Sequence, residues 1–334
     1  MITTNIKLAV VIVTYGNRWQ YLSAVLKLLD RDDFVSEIVV IDNACFYDVH
    51  EFSKATHFNK TKVFRNERNL GSAAGFSKGI TIACDNGADI LLLLDDDNLP
   101  RENTIKGLLE TYIRLSKDTP PAKLVVTAYR ECQHGKFRVP LKPVFLRGHG
   151  FLSFNVFNAL QRHLNLISYE NIISSGPEFA SFRRGGAYSG MLFAKELVQN
   201  IGLPNSDYVL YFDDIDFVIR ILNAGGVVWL DVDSRIEDIV ENYSISVFKT
   251  PILGFVLSAS DPKIYYMIRN RSYIDSFVEK KESLAYMTNK SIFLMLTTIC
   301  CILLFKWKRL GTILDACSDA RRGKLGLNPR YSLQ

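Results

Sequence analysis

Leu91-Leu92-Leu93-Leu94-Asp95-Asp96-Asp97 decides how this chain of 334 residues is read. The leucines form a strand-sized apolar run, and three carboxylates follow where the run would leave a sheet. In open α/β sheets, ligands collect outside the carboxyl ends of the strands. Carboxylates placed there can hold a divalent cation, and the cation can hold a diphosphate. A second reading is structural: a solvated acidic turn in which Asp97 or Asn98 caps the helix that follows Pro100. The surrounding sequence bears on the choice.

Around the triplet, strand and helix patterns alternate. Residues 9–14 are a β-rich apolar run, and 19–29 have helical spacing with Leu22, Val25, Leu26 and Leu29 on one face. Residues 37–41 and 61–64 read as strands, 72–86 as a helix, and 90–94 as the fourth strand. Strands separated by single helices imply parallel pairing in a doubly wound sheet. Beyond it, 105–115 is amphipathic and 124–129 is strand-like, whereas 131–184 is irregular, as functional loops of that length often are. Regular patterns return with a strand at 191–194, helices at 195–201 and 213–223, and a strand at 227–230. Ala224-Gly225-Gly226 closes the second of those helices, glycine supplying the left-handed cap. The fold class expected is α/β: a doubly wound, mostly parallel sheet flanked by helices over 1–245, then a helical, membrane-proximal extension over 246–334.

Composition narrows the function classes. Hydrophobic residues make up 48% and charged residues 22%, enough apolar material for a sizeable core. The six cysteines contain no CxxC pair, which disfavours a zinc site or disulfide framework and points to a reducing compartment. The N-terminal apolar run is strand-sized and does not read as a signal peptide. The net charge of +5 resides in the tail from Lys306, where seven basic residues face Asp315 and Asp319. The balanced remainder argues against a nucleic-acid surface. Residues 291–305 are apolar, lie between Lys290 and Lys306, and are shorter than the roughly 20 residues a span requires. With the basic tail, they suggest peripheral attachment to an anionic membrane surface, at the inner face of the cell membrane; a buried C-terminal helix is the alternative.

Three strand ends carry candidate chemistry: Thr14-Tyr15-Gly16-Asn17, Asp42-Asn43 and Asp95-Asp96-Asp97. A carboxylate at the second could accept from a base N–H or ribose hydroxyl, or could simply form a turn. Between the third strand and its helix, Gly71 and Gly75 permit close backbone approach, and the helix start favours an anion. No P-loop or GxGxxG is present. A second acidic cluster, Asp213-Asp214-Ile215-Asp216, heads a helix. One of Asp213 and Asp214 is expected to cap it, leaving the other free as a general base toward an acceptor hydroxyl.

Taken in order, these stretches resemble the family 2 glycosyltransferases, whose fold is the GT-A nucleotide-sugar domain. The matches are Val11-Ile12-Val13-Thr14-Tyr15, Val39-Val40-Ile41-Asp42-Asn43, and residues 66–79, similar to NxGxAGGxNxG with Ala74 and Ser77 as departures. Residues 91–100 resemble LLLLDDDxxP, and Gly190-Met191-Leu192-Phe193 with Ile201-Gly202-Leu203 resembles GGxMLxRxxxxxxGxF. Asp213-Asp214-Ile215-Asp216 with Arg220 resembles (E/D)DxDxxxR. Tyr265-Tyr266-Met267-Ile268-Arg269-Asn270-Arg271 is similar to YYxxRN, and residues 315–326 to DGxxGRxG. The resemblance implies an inverting, metal-dependent transferase. Asp214 would be the base and Asp213 its assistant. Asp95 and Asp97 would hold Mn²⁺ or Mg²⁺ on the donor diphosphate. Thr14, Tyr15, Asp42, Asn69, Gly71 and Asp96 would form the donor site.

Many relatives place a metal-ligating histidine after the strand that follows the base helix. Here that place reads Arg235-Ile236-Glu237-Asp238, so Glu237 or Asp238 would substitute, or water would. The intact aspartate triplet resembles galactofuranosyltransferases more than rhamnosyltransferases, many of which carry glutamine there. That favours a UDP-sugar, with UDP-galactofuranose the first candidate, over dTDP-rhamnose, with a polysaccharide or lipid-linked glycan as acceptor. A glycan- or nucleotide-sugar-binding assembly partner without turnover is the non-enzymatic alternative.

Overall fold

The computed structural model describes residues 6–130, 138–140, 150–152, 154–156, 169–171, 179–181, 188–240, 251–257, 260–281 and 283–333. The strands are β1 (Leu8–Thr14), β2 (Val35–Asp42), β3 (Thr61–Arg65), β4 (Ile90–Asp95), β5 (Asn98–Pro100), β6 (Leu124–Arg130), β7 (Arg138–Pro140), β8 (Tyr169–Asn171), β9 (Phe179–Ser181), β10 (Met191–Ala194) and β11 (Val227–Asp238). The helices are α1 (Trp19–Arg31), α2 (Val49–Ala55), α3 (Ser72–Asp85), α4 (Thr104–Leu115), α5 (Lys195–Ile201), α6 (Asp213–Asn223), α7 (Pro251–Leu257), α8 (Asp261–Tyr273), α9 (Leu284–Leu303) and α10 (Trp307–Arg321).

The main sheet has the order β3-β2-β1-β4-β10-β6-β11-β5, with β9 also on β11. β1, β2, β3 and β4 pair in parallel, as do β6 and β11, while β10 runs antiparallel between β4 and β6. Alternation of side chains along each strand sorts the core into two layers. Leu8, Val10, Ile12, Leu92 and Leu94 face α1, α2 and α4. Ala9, Val11, Val13, Leu91 and Leu93 face α3, α5 and α6. A run of four leucines is therefore what a strand buried on both faces requires. The sheet, flanked by helices and followed by a helical C-terminal region, matches the expected α/β class, but it is mixed rather than mostly parallel, with four parallel and four antiparallel pairings among the described residues.

Several local expectations fail for identifiable reasons. Neither Asp97 nor Asn98 caps α4. Residues 98–100 form β5 against the end of β11, and Asn103, in the left-handed region at φ 62°, precedes the helix without a side-chain cap. Neither Asp213 nor Asp214 caps α6. Phe212 takes the cap position at φ 68°, and both acids lie inside the first turn. β11 extends well past residue 230, to Asp238, so the Arg235–Asp238 stretch is strand rather than a following loop. Helix α2 was not expected, although Asp48-Val49-His50-Glu51 carries a capping signature, with Asp48 accepting from the Glu51 N–H at 3.1 Å. The cysteines of the described residues are free thiols, and Cys132 lies outside them.

The apolar segment is longer than the sequence reading allowed. α9 begins at Leu284 and has 20 residues, long and apolar enough by length and composition to cross a membrane. Only 28% of its most apolar window is buried in the protein. Its inner side packs Tyr286, Phe293 and Cys301 into a C-terminal core with Phe151, Val209, Ile264, Tyr266 and Ile313. Met287, Met295, Ile299 and Leu303 face outward, continued by Phe305 and Trp307.

Candidate active site

Register brings the first acidic cluster to the strand ends. Thr14 pairs with Asp42, and Val13 with Asp95, so β1, β2 and β4 finish level on one edge. β10 runs the other way, so the residues just before it, Tyr188 and Ser189, arrive at that same edge. There Tyr188 borders a cleft of about 1160 Å³. Its lining includes Tyr15, Arg18, Asn43, Asn69, Gly71, Asp95, Asp96, Asp97, Asp213 and Asp214. The two acidic clusters, more than a hundred residues apart in sequence, thus share one space.

Arg18 organises the first cluster. Its Nε donates to both oxygens of Asp96 at 2.9 Å, and its Nη2 donates to Asp97 Oδ2 at 2.7 Å. The guanidinium sits 5.4 Å from the Tyr15 ring centroid and 5.3 Å from that of Tyr21. Thr14 Oγ1 donates to Asp96 Oδ2 at 2.7 Å. Burial pushes the Asp96 carboxyl up to about 6 against these stabilising hydrogen bonds. Asp95 accepts from the Ser189 hydroxyl. Burial raises its carboxyl too, opposed by Arg130 and reinforced by Asp97 and Asp238.

The second cluster is a coupled pair. Asp213 is buried, and its Oδ2 has no hydrogen-bond partner among the described residues. Burial raises its carboxyl well above the ordinary range, and the neighbouring Asp214 charge raises it further. Asp214 is half-buried on the cleft wall and accepts from the Ile215 N–H at 2.8 Å. Burial pushes it up to about 6, with Asp95 adding to the rise. Burial, with the Asp214 charge acting on Asp213 as well, makes both carboxyls hold a proton more tightly than exposed ones.

The remaining expected residues divide. Asn69 and Gly71 line the cleft, and Asn43 fixes their loop: its Nδ2 donates to Gly71 O at 3.0 Å and its Oδ1 accepts from Leu70 N–H at 3.0 Å. Gly71 has φ +86°, and a Cβ there would lie 1.9 Å from Val209 O. Gly71→Ala is therefore expected to cost about 2–4 kcal/mol and to weaken nucleotide binding, checked by thermal melting and a UDP titration. Asp42 and Thr14 stand behind the lining. Asp42 accepts from Cys45 N–H at 2.7 Å and pairs with Arg65 at 2.7 Å, so both its oxygens hold the local turn.

The two substitute metal ligands are engaged elsewhere. Asp238 is paired with Arg130 and accepts from Asn98 Nδ2 at 2.8 Å, and Glu237 pairs at the surface with Arg101. Among the described residues, no three metal-ligating side chains form a ready cluster. Asp95 and Asp97 line the cleft itself, Asp97 with one oxygen on Arg18, beside further carboxylates that raise the local negative charge. Such a pair, completed by phosphate oxygens and water, fits Mg²⁺ or Mn²⁺.

Residues 9–166 match the family described as "Glycosyl transferase family 2". Over that span the chain carries a family 2 glycosyltransferase domain. It is 22% identical over 271 residues to the dTDP-rhamnosyl transferase RfbF of Shigella flexneri, covering 80% of this chain and 79% of that one. It is 24% identical over 276 residues to the galactofuranosyltransferase GlfT1 of Mycolicibacterium smegmatis, covering 79% and 81% respectively. Among solved structures, it resembles GalNAc-T7 with UDP, GalNAc and Mn²⁺ at TM-score 0.49 and 16% identity, over 87% of this chain and only 55% of that one. It resembles S. aureus TarS 1–349 at TM-score 0.44 and 13% identity, over 96% and 92%.

The cleft also gathers residues that sequence reasoning passed over. Arg18 gave no signal beyond standing four residues past the first strand, because its partners lie 78 and 79 residues away. Tyr188 and Ser189 reach the site only because β10 is antiparallel, which no local pattern discloses. The C-terminal region also lines the cleft, through Asp261, Lys263, Lys308, Arg309, Arg330 and Tyr331. The irregular stretch 131–184 lies largely outside the described residues.

Proposed function

We propose that this glycosyltransferase moves a sugar from a nucleotide-sugar to a glycan hydroxyl with inversion at the anomeric carbon. One observation carries the reading: the Asp213–Asp214 pair, with raised carboxyls, opens into the same cleft as the Asp95–Asp97 triplet. Asp214 accepts the proton of the acceptor hydroxyl as its oxygen attacks the anomeric carbon. Asp213 holds the acceptor or the incoming oxygen. The bond from the anomeric carbon to the nucleoside diphosphate breaks on the opposite face, and the configuration inverts. Asp95 and Asp97 would hold Mn²⁺ or Mg²⁺, which when bound neutralises charge on the leaving diphosphate. Tyr15, Asn69 and the Gly71 backbone border the donor.

Two donors merit direct comparison. The intact aspartate triplet supports a UDP-sugar, with UDP-galactofuranose first, and the likeness to a dTDP-rhamnosyl transferase supports dTDP-rhamnose. The outward apolar side of α9, followed by Phe305, Lys306, Trp307 and Lys308, supports attachment to the inner face of the membrane and a polysaccharide or lipid-linked acceptor. The test is a nucleotide-sugar panel, scoring nucleotide release with Mn²⁺ and with EDTA, and each donor's binding by thermal shift. Release of one nucleotide, abolished by EDTA and by Asp214→Ala, is the expected result. Neither binding nor release from any donor would favour a non-catalytic assembly partner.

A further inference from the structure

The turn that delivers the Asp213–Asp214 pair is strained. Val209, Tyr211 and Phe212 all have positive φ, at 66°, 66° and 68°, and none is glycine. Such conformations cost about 1–3 kcal/mol each and persist only where the surroundings over-determine them. Here much of the restraint comes from two neighbouring side chains on α8, Arg269 and Asn270, which are 1% and 0% exposed.

Asn270 Nδ2 lies 2.9 Å from Tyr208 O, 2.8 Å from Leu210 O and 2.8 Å from Tyr211 O, its two N–H donors shared among the three carbonyls. Arg269 Nη2 donates to Asp207 O at 3.1 Å and Tyr208 O at 3.0 Å, and its Nη1 donates to Gly326 O at 2.5 Å. Arg269 Nε donates to Asn270 Oδ1 at 2.8 Å, locking the two side chains together. From the other side, Ala73 N–H donates to Val209 O at 3.2 Å, beside the Gly71 backbone. The turn ends in Phe212, whose carbonyl accepts the Asp216 N–H and so starts the helix bearing both acids. Burying a guanidinium to satisfy backbone carbonyls is a costly way to gain stability alone; the return here is one fixed conformation of one turn.

We propose that Arg269 and Asn270 are positioning residues for catalysis: from the C-terminal helical region they hold the 207–212 turn in the conformation that aims Asp213 and Asp214 into the cleft. The proposal rests on the reading of Asp214 as the base. Asn270→Asp is nearly isosteric; it keeps the acceptor for Arg269 Nε and loses the donors to three carbonyls. Arg269→Lys keeps the charge and loses the fork. In the full chain, nucleotide release from UDP-galactofuranose and dTDP-rhamnose is measured beside calorimetric binding of UDP and dTDP, and thermal melting.

Asn270→Asp is expected to lower kcat about 100-fold, the scale of a small misplacement of a reacting group, with nucleotide affinity within about threefold of wild type. Arg269→Lys should show the same split at smaller size. On an Asp214→Asn background, Asn270→Asp should cost less than about threefold more, because both act through one carboxylate. A purely structural role would instead reduce nucleotide binding with kcat, or cost as much in the Asp214→Asn background as in wild type; either result overturns the proposal, as does a kcat within about threefold of wild type. If Asn270→Asp does not fold, the Arg269→Lys comparison decides on the same criteria. Wild-type turnover by Asp214→Asn would overturn the base assignment itself, whereas loss at Asp214 with full activity at Asn270 would overturn the clamp alone.

Discussion

Asp214→Asn is expected to lower kcat about 1000-fold and, at neutral pH, to raise the melting temperature. The rate effect is that of losing a positioned general base. The asparagine Oδ1 can still accept the Ile215 N–H, so the local backbone keeps its hydrogen bond. The stability effect follows from the carboxyl being pushed up to about 6 from 3.8. Below about pH 3.8 the group is neutral in both folded and unfolded chains, and folding bears no charge penalty. As pH rises through about 6, the folded protein must hold a charge that its surroundings disfavour, and stability is lost. Neutralising the side chain should therefore return on the order of 1–2 kcal/mol at pH 7, allowing for partial exposure to the cleft, and almost nothing at pH 4. Melting curves of both proteins at the two pH values check this. In the wild type, kcat/KM should fall below about pH 6 as the base gains its proton. A variant less stable than wild type at pH 7 would contradict the assigned electrostatics.

Asp95→Asn should cost a further large factor, about 100- to 1000-fold in nucleotide release, by a different route. Its carboxyl ends β4 on the cleft edge, held by the Ser189 hydroxyl, and it is one of the two acids left for a divalent cation once Asp238 is taken by Arg130. The amide keeps the size and an acceptor for Ser189 but removes the charge. Calorimetric titration of Mn²⁺ in the presence of UDP should show the loss directly, with UDP alone binding the variant much as it binds wild type. Unchanged Mn²⁺ binding in Asp95→Asn would remove that residue from the metal site.

How far the sequence could be read depends on the range of the interactions involved. The strands and helices that build the two-layered core follow alternation and helical spacing, which are local, and they stand within a residue or two of expectation apart from α2 and the far end of β11. The family motif at 66–79 also makes structural sense. Its departures Ala74 and Ser77 fall at half-buried positions, whereas the retained Gly75 and Gly79 stand where a Cβ would meet Val13 and Val11 at 2.6 and 2.4 Å. The clustering of Asp95–Asp97 with Asp213–Asp214 was expected from the resemblance and is present. Capping was misjudged because a cap is decided by backbone conformation: Phe212 and Asn103 take left-handed geometry that tertiary contacts impose and composition does not reveal. Arg18, Ser189 and the Arg130–Asp238 pair were illegible because each joins segments from different strand ends. The membrane-length helix was underestimated because Leu284–Lys290 includes polar residues that a contiguous apolar count rejects, although a helix distributes them around its circumference.

The reversed strand β10 has a consequence for how such enzymes can diversify. It lies beside β6, with Met191 opposite Thr127, so the chain leaves the sheet after Arg130 and re-enters at Met191 one strand-spacing away, on the edge where the acids gather. Sixty residues thus depart from and return to almost the same point. Closing a loop already pinched at its base costs little more when the loop is longer. The excursion is nevertheless tied down at described points, for residues 179–181 pair with β11 and Phe151 packs into the C-terminal core. A chimaera joined at Arg130 and Met191 would therefore have to bring its own partners for the edge of β11 and for the place that Phe151 fills.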